Sequence, residues 1–222
     1  MMTARQTWTK LLIEVGETEA FGNLSTVLEK LVETIVLSIL ATTTAAFCAL
    51  FCAMLGSRTT QINAWLGFIV RMIASFFRNV PVVAWALVLV ISFGHHVITG
   101  YFALFFSTFG LLVRMFIDTI DEASSDGVEA LNGVGATYLQ MVFKGVLPET
   151  LPQLLSWIFY MIETNIRSAT LVGLLTGTGI GYLFDFYYKQ LNYEMLGLIT
   201  FVIVVVVFLI EWMSNRVRRI IS

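Results

Sequence analysis

Three polar residues inside one long apolar run, Glu163, Asn165 and Arg167, have the clearest chemical potential in this sequence. Glu163 and Arg167 are four residues apart, so on a helix they share a face and can form an ion pair. A guanidinium presents two parallel N–H donors that match the oxygens of a carboxylate or a phosphorus oxyanion. Two interpretations are therefore open: Arg167 lines a pathway for an oxyanion while Glu163 holds it, or the pair locks two helices together.

A second polar pair, Arg78 and Asn79, ends another apolar run just before Pro81. Proline lacks the backbone N–H and disfavours helix in the residue before it, so this point is either a kink in one helix or a break between two. We prefer the kinked single helix, running to about Phe93. Arg78 and Asn79 can line the mouth of a pathway or mark a hinge, and an arginine that snorkels to the interface is the simpler alternative.

Other candidate sites lack the partners that their chemistry requires. His95 and His96 are adjacent and therefore point in different directions, and Cys48 and Cys52 lie one helical turn apart with no further ligand to complete a metal site. The GTGIG run at 177–181 fits neither the P-loop nor the dinucleotide pattern, and close helix packing or a flexible gate explains it better. We find no Ser/His/Asp or Cys/His set, so we expect no catalysis, metal or cofactor in this chain.

The composition is that of an integral membrane protein. Hydrophobic residues make up 58% of the 222 residues and charged residues 13%, against roughly 25% charged in soluble domains. The net charge of −2, with no basic patch carrying interleaved aromatic residues, argues against a nucleic-acid partner. The first residues lack the basic region and continuous apolar core of a secretory signal, so membrane insertion must rely on internal segments.

Apolar runs predict five transmembrane helices in an all-α fold. The first run, Thr34 to Ser57, has 24 residues without a charge, against the roughly 20 that a helix needs to cross the hydrocarbon. The other four are 64–93, 101–117, 151–175 and 195–210, with a glycine-rich connection at 173–182. Residues 1–23 predict a segment in the membrane interface, and residues 24–222 a single transmembrane domain.

The distribution of positive charge predicts the orientation. Eight Lys and Arg residues fall on one face of the predicted bundle and four on the other, and the richer face belongs in the cytoplasm. The eight are Arg58, Arg71, Arg78, Arg114, Lys144, Arg216, Arg218 and Arg219; the four are Arg5, Lys10, Lys30 and Lys189. This arrangement places the N-terminus outside and the C-terminus in the cytoplasm.

A polar, glycine-bearing stretch, Glu129 to Pro152, separates the third and fourth predicted spans and lies on the cytoplasmic face. Asp126 and Glu129 predict a capped helix start, and Gly133 and Gly135 predict a turn after it. Residues 136–146 then predict a second helix, which Pro148 and Pro152 end. Such a compact shape suits a rigid contact with another protein.

This stretch resembles the EAA signature of the membrane-spanning permease subunits of ABC importers, in which Glu-Ala-Ala is followed by glycine and, at a fixed spacing, by Leu-Pro. The matching residues are Glu129, Ala130, Gly135, Leu147 and Pro148. Leu131 stands where alanine is usual and Gly145 where isoleucine is usual. The resemblance implies a type I ABC importer permease fold in which a cytoplasmic EAA loop, at 121–150, forms the coupling helix that docks on an ATPase subunit.

The resemblance covers roughly Leu28 to the C-terminus and extends to a branch of the family. RNVPVVAWALVLVISFG from Arg78 and NIRSATLVGLLTGTGIG from Asn165 resemble the phosphonate branch. This implies a homodimeric permease of the bacterial cell membrane for phosphonate or a related phosphorus oxyanion, working with an ABC ATPase subunit and an extracytoplasmic solute-binding protein.

In that assembly ATP and Mg²⁺ would be bound by the ATPase, and the translocation path would lie between the two permease copies. The pathway candidates are Arg78, Asn79, Glu163, Asn165 and Arg167. Alternatives are a type I permease for another small solute, such as phosphite, phosphate or methionine, and a channel or scaffold outside the ABC class.

Overall fold

The chain folds into a bundle of helices. The computed structural model describes residues 23–61, 63–123, 127–128, 131 and 133–221, and in that part the predicted all-α fold is confirmed. The helices in chain order are α1 (Leu24–Gly56), α2 (Ala64–Asn79), α3 (Val82–Phe93), α4 (Val97–Ala123), α5 (Tyr138–Met141), a π-helical segment (Val142–Val146), α6 (Leu147–Thr176), α7 (Gly179–Lys189) and α8 (Tyr193–Ile221).

Small side chains form the buried face of α1. Alanine, serine, threonine and glycine recur along it at helical spacing, at positions 34, 38, 41, 42, 45, 46, 49, 53 and 56. Such residues let two backbones approach closely, as is typical of helix pairs in membranes. Helix α1 accordingly packs along α4, and both also pack against α6, so that these three helices form the centre of the bundle.

The bundle has two ends, which hydrogen bonds between helices define. At one end α1 finishes beside the end of α4, where Ser57 bonds Asp121, and α6 begins nearby, where Trp157 bonds Thr119. We call this the loop end, because the 121–150 segment is attached to it. At the opposite end Thr34 of α1 bonds the backbone of Ile180 in α7.

The preferred interpretation of 64–93 as one kinked helix is wrong. Helices α2 and α3 are separate, the chain bends by 88° at the break between them, and Pro81 is the N-cap of α3. Pro81 cannot donate an N–H to α2, and it holds Val80 in an extended conformation. Glycine also shapes the break, because a Cβ at Gly110 of α4 would lie 2.4 Å from the backbone N of Arg78.

The prediction that Pro148 and Pro152 end a helix is also wrong. Pro148 lies in the first turn of α6 and Pro152 is inside it, and the chain is helical without interruption from Tyr138 to Thr176. The π-helical segment that precedes Pro148 provides the reason. Its wider turn, in which the N–H of Leu147 bonds the carbonyl of Val142, accommodates a proline that lacks the usual donor.

The predicted glycine-rich connection at 173–182 is mostly helical. Helix α6 ends at Gly177, which has φ +70°, and α7 begins two residues later and bends away by 51°. Gly181 packs directly on α6, where an added Cβ would lie 2.1 Å from the carbonyl oxygen of Thr170. Close packing thus accounts for this glycine, as the sequence suggested.

Three helices are long and apolar enough to cross a membrane: α1, α4 and the first 24 residues of α8. The number rises to five if each of the bent pairs, α2 with α3 and α6 with α7, counts as one span. These values concern the described residues and make the chain a multi-pass membrane protein with three to five spans.

Candidate functional site

Arg78 and Asn79 lie at the break between α2 and α3, and both are exposed. At 100° per residue, Arg78 lies on the same face of α2 as Arg71 and the buried Gly67 and Ala74. It is roughly opposite the exposed Ile69. The amide of Asn79 makes only a long contact of 3.4 Å to the hydroxyl of Ser75. The break therefore presents a guanidinium on the side of α2 that faces the rest of the subunit.

The contact with Gly110 gives the depth of this site. Gly110 is the central residue of α4, with thirteen residues to either end, so it lies about 20 Å from each end of the helix. Because a helix that spans the membrane crosses a hydrocarbon core of about 30 Å, the centre of α4 falls near the centre of the bilayer. Arg78 is at the same level.

Glu163 and Arg167 form the ion pair that their spacing predicts. Arg167 Nη2 lies 3.1 Å from Glu163 Oε1, and the side chain of Glu163 is 7% exposed whereas that of Arg167 is 44% exposed. Glu163 contributes to an apolar cleft of about 370 Å³ between α1, α6 and α8. Arg167 and Glu211 contribute to a second groove, of about 470 Å³, between α6 and α8. The pair thus faces α8.

Asn165 points away from that pair and into the bundle. Its amide Nδ2 donates to Thr42 Oγ1 of α1 at 2.8 Å and to Thr108 Oγ1 of α4 at 2.7 Å, and the residue is 4% exposed. Ser38 of α1 adds a longer bond to its backbone carbonyl. Asn165 therefore joins the three central helices at mid-depth through hydrogen bonds that satisfy both of its N–H groups.

The five predicted pathway residues thus share a level in the bundle but divide among three places. Arg78 and Asn79 lie on α2, which packs against α1 and α4, whereas Glu163 and Arg167 face α8, which packs against α6 and α7. Asn165 is buried between these two sides. Within one subunit, the structure does not bring them into a single site, and their role in a pathway stays a prediction.

The described part of the EAA stretch shows the turn and the helix that follows it. Gly135 has φ +76°, a conformation that favours glycine, and Ala136 N–H bonds the carbonyl of Leu131 at 3.1 Å. Leu147 and Pro148 start α6, while Glu129 and Ala130 lie outside the described residues. Tyr138 packs against the buried apolar residues that α1, α4 and α6 share, and its partial burial raises the pKa of its hydroxyl above the ordinary value.

Comparison with known proteins identifies the family of this chain. Residues 32–222 match the family described as the inner membrane component of binding-protein-dependent transport systems. The chain belongs to this family. Its predicted kinship with the permeases of ABC importers, and with their phosphonate branch, is thereby confirmed.

Several curated permeases are similar in sequence. The chain is 33% identical over 141 residues to the phosphate-import permease protein PhnE of Mycolicibacterium smegmatis and 31% identical over 160 residues to a putative phosphite transport permease, HtxE, of Stutzerimonas stutzeri. These matches cover 64% and 72% of this chain but 26% and 61% of those proteins, so less than two thirds of either is spanned. A cryptic phosphonate permease protein, PhnE2, of Escherichia coli is 32% identical, with 53% of this chain and 96% of that protein covered.

Solved structures of transporters share the permease fold. A structure described as the MetNI methionine ABC transporter in inward-facing conformations aligns over 100% of both chains with a TM-score of 0.74 at 21% identity. An amino acid ABC transporter aligns over 99% of both chains with a TM-score of 0.74 at 14% identity. A second MetNI crystal form has a TM-score of 0.70 at 25% identity, again over 100% of both chains.

The structure also contains a polar clamp at the loop end that sequence reasoning missed. Oδ1 of Asp121 accepts hydrogen bonds from Ser57 Oγ at 2.5 Å and from Thr59 N and Thr59 Oγ1, both at 3.2 Å. Arg71 donates to the carbonyl of Gly56 in the same region. The clamp joins the α1–α2 turn to the helix that leads into the EAA stretch. The polar run Ser57 to Thr60 was the only signal, and it does not identify its partner.

A second contact that sequence reasoning missed lies at the opposite end of the bundle. The carboxylate of Glu33 accepts from Gly179 N at 3.3 Å, and Thr34 Oγ1 accepts from Ile180 N at 2.9 Å. Two side chains of α1 therefore satisfy the first N–H groups of α7. Lys30 holds Glu33 in place at 2.7 Å. These contacts fix α7 against α1.

No group of three His, Cys, Asp or Glu residues in the described ranges could hold a metal ion. His95 and His96 are both exposed, and His96 Nδ1 accepts from the backbone N of Ile98 at 3.3 Å.

Proposed function

We propose that this chain is the membrane-spanning permease subunit of an ABC importer for phosphonate or a related phosphorus oxyanion. The observation that carries the proposal is the family match over 32–222, which covers nearly all of the chain that the structure describes. The substrate class is supported by relatives whose names refer to phosphate, phosphite and phosphonate. A transporter subunit of this kind forms the path for the solute and carries out no chemistry of its own.

The proposed assembly contains two copies of this chain, two ABC ATPase subunits and an extracytoplasmic solute-binding protein. ATP and Mg²⁺ belong to the ATPase, and the path lies between the two permease copies. We assign five spans, with each bent helix pair counted as one, so that the two termini lie on opposite sides of the membrane. The positive-charge count, which is seven against four without the mid-membrane Arg78, favours the N-terminus outside and the C-terminus in the cytoplasm. The segment 121–150 then faces the ATPase.

In this proposal Glu129, Ala130, Gly135, Leu147 and Pro148 form the coupling element. The turn at Gly135 and the continuous helix from Tyr138 into α6 support it, since a push on this segment would be carried directly along α6. The clamp at Asp121 also ties the segment to the α1–α2 turn. Closure of the ATPase dimer would therefore tilt several spans together, as in a rigid-body switching movement.

The experiment that tests this function is reconstitution of the complete complex in proteoliposomes. We expect receptor loaded with methylphosphonate, phosphite or phosphate to stimulate ATP hydrolysis and solute uptake. Stimulation only by methionine-loaded receptor would refute the substrate class in favour of the methionine alternative.

A second measurement separates an ABC permease from a channel or scaffold. We expect the chain to co-purify with an ATPase subunit and Glu129→Lys to abolish that association, because a cation replaces the carboxylate at the proposed docking site. Purification of the chain alone, with ion conductance that needs no ATP, would refute the proposal.

A further inference from the structure

We infer that Arg78 is the residue that contacts the transported anion halfway across the membrane, with its guanidinium directed at the oxygens of a phosphorus oxyanion. The inference rests on the proposed function and names the contact within its path. It depends on three features of Arg78: its depth, the face of α2 on which it lies, and the lack of a carboxylate partner.

The depth of Arg78 excludes an ordinary interfacial position. Its backbone N would lie 2.4 Å from a Cβ at Gly110, the central residue of the spanning helix α4. A charge at this level is costly in contact with lipid and is tolerated where it meets protein, water or a ligand. Lipid headgroups, the other common source of phosphate oxygens, lie at the interface about 15 Å away.

Arg78 lies on the face of α2 opposite its exposed apolar residues. The large exposed apolar residues of α2 form one side of the helix, at Trp65, Leu66, Phe68, Ile69, Met72, Ile73 and Phe76. Arg78 lies roughly opposite Ile69 and one turn beyond the buried Ala74. Because α3 turns away by 88° directly after it, the guanidinium is exposed at the break rather than buried against the same subunit. Water and solute reach a position of this kind when it borders a path between two copies.

Arg78 also lacks the partner that would neutralise it. Among the residues that the structure describes, no Asp or Glu oxygen lies within 4.0 Å of its guanidinium. Arg167, at a similar depth, is already paired with Glu163 and faces α8. Arg114 is paired with Asp118 at 2.9 Å. Of these three arginines, Arg78 is the one whose donors are open to an anion.

The chemistry of the guanidinium suits a tetrahedral oxyanion. Its planar fork can donate two N–H bonds to two oxygens of the same phosphorus atom, and the charge assists both bonds. The exposed amide of Asn79 is adjacent and adds neutral donors. In a two-copy assembly the symmetry axis gives two such arginines, so that the anion can meet one from each copy at the mid-point of its path.

The first test replaces Arg78 in the complete complex and measures uptake of inorganic phosphate, phosphite and methylphosphonate, each delivered by the receptor. We expect Arg78→Gln to lower uptake at least about ten-fold, the usual effect of losing charge-assisted hydrogen bonds, while receptor-stimulated ATP hydrolysis continues. Arg78→Lys, which keeps the charge without the fork, should recover part of the uptake. Arg114→Gln, which removes a paired arginine from α4, serves as the matched control and should change uptake less than two-fold.

The ratio of ATP hydrolysed to anion imported distinguishes the contact from a structural role. Loss of the anion contact raises this ratio, whereas damage to the fold lowers hydrolysis and uptake together. Unchanged uptake in Arg78→Gln, or equal losses of hydrolysis and uptake in both Arg78 variants, would overturn the inference.

The second test measures water access and charge directly. In a background with Cys48→Ala and Cys52→Ala, Arg78→Cys is treated with a cationic aminoethyl or an anionic sulfonatoethyl methanethiosulfonate. We expect both reagents to label the thiol and only the cationic one to restore uptake. A thiol that neither reagent labels, or uptake restored equally by both, would overturn the inference. Failure of the proposed function is distinguishable, because the unmodified complex would then import none of the three anions.

Discussion

Replacing Gly110 by alanine tests whether the contact between α4 and the end of α2 holds the break in place. The new Cβ would lie 2.4 Å from the backbone N of Arg78, 2.7 Å from the Cβ of Phe77 and 2.8 Å from its carbonyl carbon. Two of these atoms belong to the backbone, which cannot move aside by changing a rotamer. We therefore expect α2 to be displaced from α4, with loss of stability.

The size of the loss follows from two opposing terms. Forcing an extra methyl group into a packed contact costs roughly 1–3 kcal/mol, while exchanging glycine for alanine inside a helix gains roughly 0.5–1 kcal/mol. Gly197, inside α8, is the matched control because nothing lies within 4 Å of its added Cβ. The helix gain cancels between the two variants, so the difference between Gly110→Ala and Gly197→Ala isolates the cost of the contact.

Thermal unfolding of the purified chain in detergent, followed by tryptophan fluorescence, measures this difference. For a chain of this size, 1 kcal/mol shifts the midpoint by roughly 2–4 °C, so Gly110→Ala should unfold about 2–12 °C below Gly197→Ala. A midpoint for Gly110→Ala equal to or above that of Gly197→Ala would show that the α2–α4 contact is not tight. The depth assigned to Arg78 would then lose its basis.

Two further predictions concern the polar contacts between helices. Asp121→Ala should cost about 1–3 kcal/mol of unfolding free energy, because three donors lose their acceptor. The control Asp118→Ala, which breaks an exposed ion pair, should cost less than about 1 kcal/mol. Equal denaturant midpoints for the two variants would contradict the clamp. Asn165→Ala should cost about 1–2 kcal/mol of unfolding free energy. A double-mutant cycle with Thr42→Ala in the same unfolding assay should show a coupling energy of about 0.5–1.5 kcal/mol. Additive effects of the two substitutions would show that the 2.8 Å hydrogen bond from Asn165 Nδ2 to Thr42 Oγ1 contributes nothing.

Local sequence patterns were sufficient for the first spanning helix and for the pairing of Glu163 with Arg167. Residues 34–56 of the uncharged run lie within α1, Ser57 is its C-cap, and the spacing of four residues gives the observed ion pair. Both are properties of a single helix, where period and length decide the outcome. The turn at Gly135 belongs to the same class, since glycine is the residue that adopts a positive φ without strain.

The features that sequence reasoning missed depend on contacts between distant segments. Proline indicated a disturbance at 81 and at 148, but its outcome differed: at Pro81 the helix breaks by 88°, whereas at Pro148 a π-helical segment lets it continue. Asp121 and Ser57 are 64 residues apart, and Glu33 and Gly179 are 146 apart. No local pattern specifies which segments come together across such separations.

The positions of Arg78 and Arg167 bear on how one bundle serves both structure and transport. A charge inside the bilayer is retained only where something compensates it, and the two arginines differ in what compensates them. Glu163 compensates Arg167 within α6, and this pair faces α8, so Arg167 already has the counter-charge that its depth requires. Arg78 has no such partner in the described chain and stands where two helices part, so its compensation must come from water, the second copy or the transported anion.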